Sequence, residues 1–377
     1  MARVDISELD FEQMIAIGNR IYSHVTGAQV AALVVIGDRL GLFEALADHG
    51  PATGAQLAAV TSLHERYVRE WADALVATGY VEVETVDADA ADAADTADGS
   101  EARRYRLTKE GIFFFGDPES PGFSVGAYQL AYGVTRNVPR LMECFASGEG
   151  IGYADSGEEV TVGVERLWAP IHEYFLEGWL QSIPGLTEKL SAPGAAIADV
   201  GCGRGRSTAT LARLFPKAEV VGIDADAASI EAARALAASR GLSNVAFRVQ
   251  LADEIHEQDR YDFVYLFHTL HDIPEPVPAL TAMGRALKAD GLLLCVESSA
   301  SDDPMTNRGT PAEMFASVSP LFNLPVAMAA AGDGSGTILT EANVRAWADK
   351  AGLGSYEVLA ITFPPPSMLH RFHALRR

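Results

Sequence analysis

The stretch Asp199-Val200-Gly201-Cys202-Gly203-Arg204-Gly205, followed by Gly222-Ile223-Asp224, decides how this chain is read. The apolar run from Ala195 to Val200 has the character of a buried strand and feeds a glycine-rich turn. A helix opens at Ser207-Thr208, and a second apolar run, Ala218 to Ile223, ends in an acid. Strand, turn, helix and strand in that order form a nucleotide-type βαβ site, with the acid placed to hold a ribose. Gly201 and Gly203 allow a tight turn and a close backbone approach. The helix that follows presents N–H groups to an anionic group such as a carboxylate or phosphate. The spacing departs from a dinucleotide fingerprint, because the third glycine position is Arg206. Asp199 would repel a pyrophosphate and suits a cationic ligand.

Beyond this site the apolar runs alternate with helical segments: Ala195–Val200, Val220–Ile223, Val245–Val249, Asp262–Phe267 and Leu292–Glu297 read as strands. Such alternation predicts an α/β domain with a parallel sheet covered on both faces. Asp302 to Gly336 interrupts it as an irregular, partly helical insertion. Thr340 to Ala351 is a capped helix, and Tyr356–Phe363 and Leu369–Leu375 are the last strands.

The first third reads differently. Ala28 to Leu46 is an amphipathic helix, Thr53 caps a short one through Val60, and Ser62 caps another from Leu63 to Thr78. Tyr80–Glu84 and Arg104–Leu107 are strand-like arms, and three helices followed by a hairpin is a winged-helix pattern. Asp87 to Ser100, almost wholly Ala, Asp, Thr and Gly, reads as a disordered acidic tip to the wing. From about Ser120 to Leu190 the chain looks helical and is rich in aromatics. The expected domains are 1–119, a connector over 120–192, and 193–377, with 302–336 as a lid-like insertion.

Composition narrows the function classes. A formal net charge of −22 over 377 residues argues against a nucleic-acid partner, which would need clustered Lys and Arg. No apolar run has the length to cross a bilayer, and Met1 to Gln13 lacks the apolar core of an export signal. Cys144, Cys202 and Cys295 are too widely spaced for a disulfide framework or a zinc site, which suits the cytoplasm. No metal site is expected. His370 and His373 fall three apart on a strand and point to opposite faces, and His268 with His271 lacks an identifiable third ligand.

The glycine turn, Gly222-Ile223-Asp224, then Tyr261-Asp262-Phe263-Val264 and Leu287-Lys288-Ala289-Asp290-Gly291-Leu292-Leu293 resemble the ordered motif set of class I S-adenosylmethionine-dependent methyltransferases. The front end is similar to the winged-helix domain of their small-molecule O-methyltransferase branch. Asp290 departs from the glycine usual at that position. The resemblance implies a Rossmann-like sheet of seven strands and S-adenosylmethionine as cofactor. It implies a cradle of Asp199, Gly201, Cys202 and Gly203, with Asp224 on the ribose. Ala225, Leu251 and Ala252 would flank the adenine, and Phe267 and His268 would lie near the methionine part. It also implies a homodimer through the N-terminal domain, expected here through the apolar helix from Val30 to Leu46.

Phe267-His268-Thr269-Leu270-His271-Asp272 ends the fourth strand, at the sheet edge where ligands bind. In the resembling enzymes a Leu-His-Asp segment supplies the catalytic histidine, and His271 matches it. A neutral hydroxyl is a poor nucleophile, so O-methylation calls for a base, and an ordinary imidazole titrates near neutral pH. His271 otherwise packs or caps a helix. Asp272 either orients His271 or caps the next helix, and Glu297 either faces the acceptor or caps the loop after its strand. Tyr128, Tyr132, Trp168, Tyr174, Phe175, Met314, Phe315 and Phe322 would wall an apolar acceptor pocket. The expected function is methyl transfer to a small aromatic or hydroxylated metabolite of secondary metabolism. C- or N-methylation of an electron-rich ring such as an indole is the alternative within the enzyme class. A cofactor-responsive winged-helix DNA-binding regulator is the alternative outside it.

Overall fold

Continuous apolar runs such as Ala196–Val200 and Tyr261–Phe267 have no polar face to give to water, so they belong at the centre of a covered sheet. The computed structural model, which describes residues 9–85, 103–330, 336–361 and 370–377, places them there. The chain divides into two compact units, Met1–Tyr132 and Gly133–Arg377. The segment 120–192 is shared between them.

In the second unit seven strands form one sheet: β3 Ala196–Val200, β4 Glu219–Asp224, β5 Val245–Val249, β6 Tyr261–Phe267, β7 Leu287–Ser298, β8 Ser355–Leu359 and β9 His370–Arg376. Their order is β5-β4-β3-β6-β7-β9-β8. Every pairing from β5 to β7 is parallel, and β9 is antiparallel to both β7 and β8. The order reverses between β3 and β6, which opens a crevice at the carboxyl ends of those strands. Ile197, Phe263, Tyr265 and Val296 are buried with Leu211 and Leu180 on one face; Ala198, Val264, Leu266 and Leu293 are buried with Met283 and Val344 on the other. The helix Glu341–Lys350 starts at a capping box of Thr340 and Asn343. The described residues of the insertion include the short α-helices Pro304–Asn307, Ala312–Val318 and Asn323–Ala329.

In the first unit the helices Phe11–Arg39, Leu42–His49, Gly54–Thr61 and Glu65–Ala77 precede a hairpin of β1 Glu82–Thr85 and β2 Arg103–Arg106. The expected helix from Ala28 to Leu46 breaks at Leu40 and Gly41, where Gly41 takes φ 68°. It also begins earlier, where Asp10 accepts from the N–H groups of Glu12 and Gln13. Ser62 is not a helix start: at φ 57° it closes the preceding helix, and the next begins at Glu65 without a side-chain cap. Leu42, Phe43, Leu57, Trp71, Leu75 and Tyr105 make this unit's core. The acidic tract Asp87 to Ser100 lies outside the described residues.

Candidate active site

The donor side is built from backbone. Gly201 has φ 72°, and a Cβ there would collide with the side chain of Thr269. Gly205 has φ 82°, and a Cβ there would lie 2.6 Å from that of Ala233. A Cβ on Gly203 would meet open space, so this face of the turn is free. Both oxygens of Asp224 brace the site: Oδ2 accepts from Gly203 N–H at 2.7 Å and Oδ1 from Asp226 N–H at 2.8 Å. Each oxygen keeps a further lone pair. Ala225 and Leu251 are exposed, and Ala252 is half-buried.

Asp199 is buried at the end of β3, where its Oδ2 accepts from the Ser207 and Thr208 hydroxyls at 2.6 and 2.5 Å. Burial pushes its carboxyl up to about 6, against the pull of those hydroxyls and helped by the Asp224 charge. It ties the glycine turn to the first turn of the helix Arg206–Leu214, which no side chain caps. Cys202 is buried beneath the turn. Glu165 draws in both arginines of the loop, Oε2 to Arg204 Nε at 2.5 Å and Oε1 to Arg206 Nε at 2.9 Å.

The acceptor side is built from side chains distant in sequence. His271 is buried on the turn after β6, and its Nδ1 meets Glu297 Oε2 at 2.5 Å. Glu297, fully buried on β7, accepts from Leu270 N–H with its other oxygen at 2.9 Å. Glu297 therefore orients His271 and caps no loop. Asp272 does not cap the next helix, which begins at Pro276 after Glu275. Its Oδ1 accepts from Asn323 Nδ2 at 3.0 Å and lies 3.6 Å from His271 Nε2. Burial drives the imidazole of His271 down, but the charges of Glu297 and Asp272 outweigh it and raise the ring to about 9.

His268 has the opposite environment. It stacks on Trp168 with ring centroids 4.6 Å apart and on Phe315 at 5.6 Å, and its Nε2 meets His370 Nδ1 at 2.9 Å. Burial first, then neighbouring histidines, holds it well below the usual imidazole range. Burial likewise puts His370 and the nearby His172 at about 3. His268 is also a non-glycine residue at φ 48°, and backbone strain of this kind gathers at functional sites. Two histidines three residues apart are thus separated chemically: one a neutral wall, the other beside two carboxylates.

Ligand atoms of His268, His271 and Glu297 lie within 4.8 Å of one another. Glu297 supplies the third group that the sequence left unidentified. Its oxygens are already engaged by the His271 ring and by Leu270 N–H, so the cluster reads as a hydrogen-bonded dyad beside a neutral histidine.

The aromatic residues scatter more than the sequence suggested. Trp168, Phe267 and Phe315 gather at His268. Phe322 is buried against Tyr153 at 5.9 Å. Phe175 packs on the core under the sheet, while Tyr174 and Met314 are exposed. Tyr128 and Tyr132 belong to the first unit, where the Tyr128 hydroxyl meets that of Tyr80 at 2.6 Å. Sequence reasoning passed over Asn323 and Tyr153, and weighed His370 only as a metal ligand. Burial pushes the Tyr153 hydroxyl up, and the charges of Asp224, Asp272 and Asp226 add to it. An Asn inside an irregular insertion carries no signal until the fold brings it to His271.

Residues 191–344 match the family model of the methyltransferase domain, and residues 28–94 that of the Rv2258c-like winged HTH domain. This chain carries a methyltransferase domain behind a winged HTH domain. Its methyltransferase domain is similar to ubiquinone biosynthesis O-methyltransferase of Maricaulis maris, 31% identical over 128 residues, 33% of this chain and 49% of the relative. The chain thus spans about half the length of the curated relatives it matches. Among solved structures, a candidate O-methyltransferase of Nostoc punctiforme aligns with a TM-score of 0.70 at 20% identity, covering 95% of this chain and 98% of the other. CalO1, a methyltransferase in calicheamicin biosynthesis in its SAH-bound form, aligns at 0.62 and 20% identity, covering 98% and 100%. At these identities the likeness is one of fold, and the fold runs through nearly the whole chain.

Proposed function

We propose that the protein is an S-adenosylmethionine-dependent methyltransferase acting on an oxygen of a small aromatic or hydroxylated metabolite. The observation that carries this reading is a contact. The turn bearing His271 abuts the glycine turn, with the Thr269 hydroxyl 3.4 Å from the Gly201 carbonyl. A buried His–Glu dyad thus sits at the edge of a cofactor cradle. The SAH-bound state of CalO1, on the same fold, supports the cofactor, and its place in calicheamicin biosynthesis supports an acceptor from natural-product chemistry.

When bound, S-adenosylmethionine supplies an electrophilic methyl group on a sulfonium sulfur. The glycine turn and Asp224 would hold it, with Leu251 and Ala252 against the adenine. Trp168, His268 and Phe315 form an apolar, uncharged wall that excludes water and positions an acceptor ring. His271 Nε2 would take the acceptor's hydroxyl proton. Glu297 would stabilise the imidazolium that results, as a buried carboxylate does behind a catalytic histidine.

The first unit is proposed to dimerise. The expected surface, Val30 to Leu46, has Val30, Val34, Leu42 and Leu46 buried in the unit's own core. Exposed apolar residues lie earlier on the same helix, at Met14, Ile17, Ile21 and Val25, spaced to form one stripe. A second copy of this chain is the occupant that reading assigns to it. Regulation of DNA is disfavoured because the helix Glu65–Ala77 pairs Arg66 with Glu70 and Arg69 with Glu65, while Asp73 takes Arg103. Among the described residues no helix is long and apolar enough to cross a membrane. All three cysteines are free, in keeping with a cytoplasmic enzyme.

The test is a panel of small phenolic and hydroxylated metabolites, scored by S-adenosylhomocysteine formation, product mass and NMR of the new methyl group. An O-methyl product is expected. A methyl on carbon or nitrogen transfers the reading to ring alkylation. Absence of S-adenosylhomocysteine binding by calorimetry would sink it.

A further inference from the structure

This inference rests on the reading of the glycine turn as a cofactor cradle and deepens it. One helix, Glu158–Tyr174, touches both sides of the site. Glu165 meets the glycine turn, where its two oxygens take Arg204 Nε at 2.5 Å and Arg206 Nε at 2.9 Å. Three residues on, Trp168 stacks on His268 at 4.6 Å with the ring planes 13° apart, and meets Phe267 edge-on at 5.3 Å. Residues three apart on a helix are neighbours on its surface. The acid that grips the donor turn and the ring that walls the acceptor side are therefore about one helical turn apart.

The two halves of this helix are held differently. Beyond Pro170, Ile171 is buried in the core under the sheet and His172 lies against Phe267. There Glu173 spans two further arginines, with Oε2 2.9 Å from Arg240 Nη1 and Oε1 3.6 Å from Arg213 Nη2. Residues 164–169, before the proline, are all half-buried. Pro170 divides the halves: it has no N–H for the carbonyl four residues back and its ring crowds that carbonyl, so a helix bends most readily there. The half with Glu165 and Trp168 takes its position from what it touches, and Glu165 makes its grip on the turn. Arg204 stands between Gly203 and Gly205, at φ 50° and 82°, and Arg206 opens the next helix. A cofactor that settles the turn therefore acts on Glu165 directly. The Glu165 side chain is only 14% exposed, and charge-assisted bonds gain strength out of water.

We infer that Glu165 is a positioning residue: it fixes the Pro170-hinged half of its helix to the cofactor turn, so that filling the cradle sets Trp168 against His268 and prepares the acceptor wall. The consequence is coupling between the two sides. Whatever factor the cofactor adds to acceptor affinity, the acceptor adds to cofactor affinity, and loss of Glu165 removes both. Balancing the charge of the two arginines is a separate role of the same carboxylate, and it would leave Trp168 still.

The test does not depend on knowing the acceptor. The full chain is labelled with 5-fluorotryptophan, and Trp71, Trp168, Trp179 and Trp347 are followed by 19F NMR, with Trp168 assigned from Trp168→Phe. Saturating S-adenosylhomocysteine should move the Trp168 resonance of the wild type and leave Trp71, in the core of the first unit, in place. Glu165→Gln should still bind it by calorimetry, about two- to fivefold more weakly, with the Trp168 response cut by about half or more. Glu165→Asp keeps the charge and loses the reach, so it should behave alike, and it serves if the glutamine variant does not fold. A full Trp168 response in both variants, or none in a wild type that binds, overturns the inference. Hydrogen exchange of the ligand-free chain is the second arm. Amides of residues 164–169 should exchange about tenfold faster in Glu165→Gln, with those of 171–174 unchanged, as loss of a charged contact to the freer half requires. Equal exchange in the two proteins overturns the hold of Glu165 on its helix. Failure of S-adenosylhomocysteine to bind would sink the cofactor reading and the coupling with it, while the exchange arm still decides that hold, so the two fail separately.

Discussion

The donor and acceptor sides of the site are made of different material. On the donor side, Gly201, Gly203 and Gly205 shape a turn, and one acid at a strand end braces it through two backbone N–H groups. On the acceptor side, His271, Glu297, Asn323 and Thr337 come from four separate segments and meet only through side chains. A backbone cradle tolerates many neighbours and recognises one cofactor. A side-chain cluster concentrates the titration chemistry, and there each substitution changes protonation as well as contact.

The comparison breaks most visibly at the base. His271→Ala should lower kcat by about 10²–10⁴-fold while calorimetry shows S-adenosylhomocysteine affinity nearly unchanged. Comparable losses in both would mean the two sides are one unit. On the donor side Asp224→Ala should do the reverse, weakening S-adenosylhomocysteine by roughly tenfold or more through lost charge-assisted hydrogen bonds, with the pH profile of turnover retained.

Protonation supplies the next test. With His271 held up toward 9 by Glu297 and Asp272, kcat should rise with pH on a limb lying above 6.5. Glu297→Gln should move that limb to lower pH by about one unit, and a limb that stays put would remove Glu297 from the dyad. The same shift acts on stability. A histidine whose folded value exceeds its unfolded one contributes stability that is full below about 6.5. That contribution is lost as pH rises through about 9, so thermal melts of the wild type should fall over that interval more than those of His271→Gln.

The smallest effect is expected at Glu165, which pairs with Arg204 and Arg206 and is itself mostly buried. Glu165→Gln frees two positive charges beside a cationic cofactor, and about a two- to fivefold rise in its KM should follow, in line with partly exposed ion pairs. Sedimentation velocity tests the remaining comparison, between the units. The protein at micromolar concentration should be dimeric, and Ile21→Asp with Val25→Asp should leave it monomeric with its methyltransferase domain folded.

Much of the fold was legible because apolar periodicity is a local property. β5 falls on Val245–Val249 as read, and the other strands of the sheet are off mainly at their ends. The first unit was less legible where the backbone turns left-handed without an obvious breaker, as at Ser62. Asp272 and Glu297 were identified as functional, yet their roles stayed open, since a carboxylate's partner can lie anywhere in the chain. The acceptor-wall aromatics were the weakest part: a Tyr such as Tyr128 in a helical segment looks the same whether it faces a pocket or, as here, the core of the first unit.

By itself the sequence determined the donor: the spacing of glycines, the helix after them and the acid on the next strand are covalent distances along one chain. Tertiary structure decided the rest. It supplied Glu297 behind His271, kept His268 neutral between Trp168 and Phe315, and brought Asn323 to the His271 ring. The physical reason is range. Backbone geometry is set by neighbours in sequence, whereas desolvation and charge act through space, and only folding decides which groups share that space.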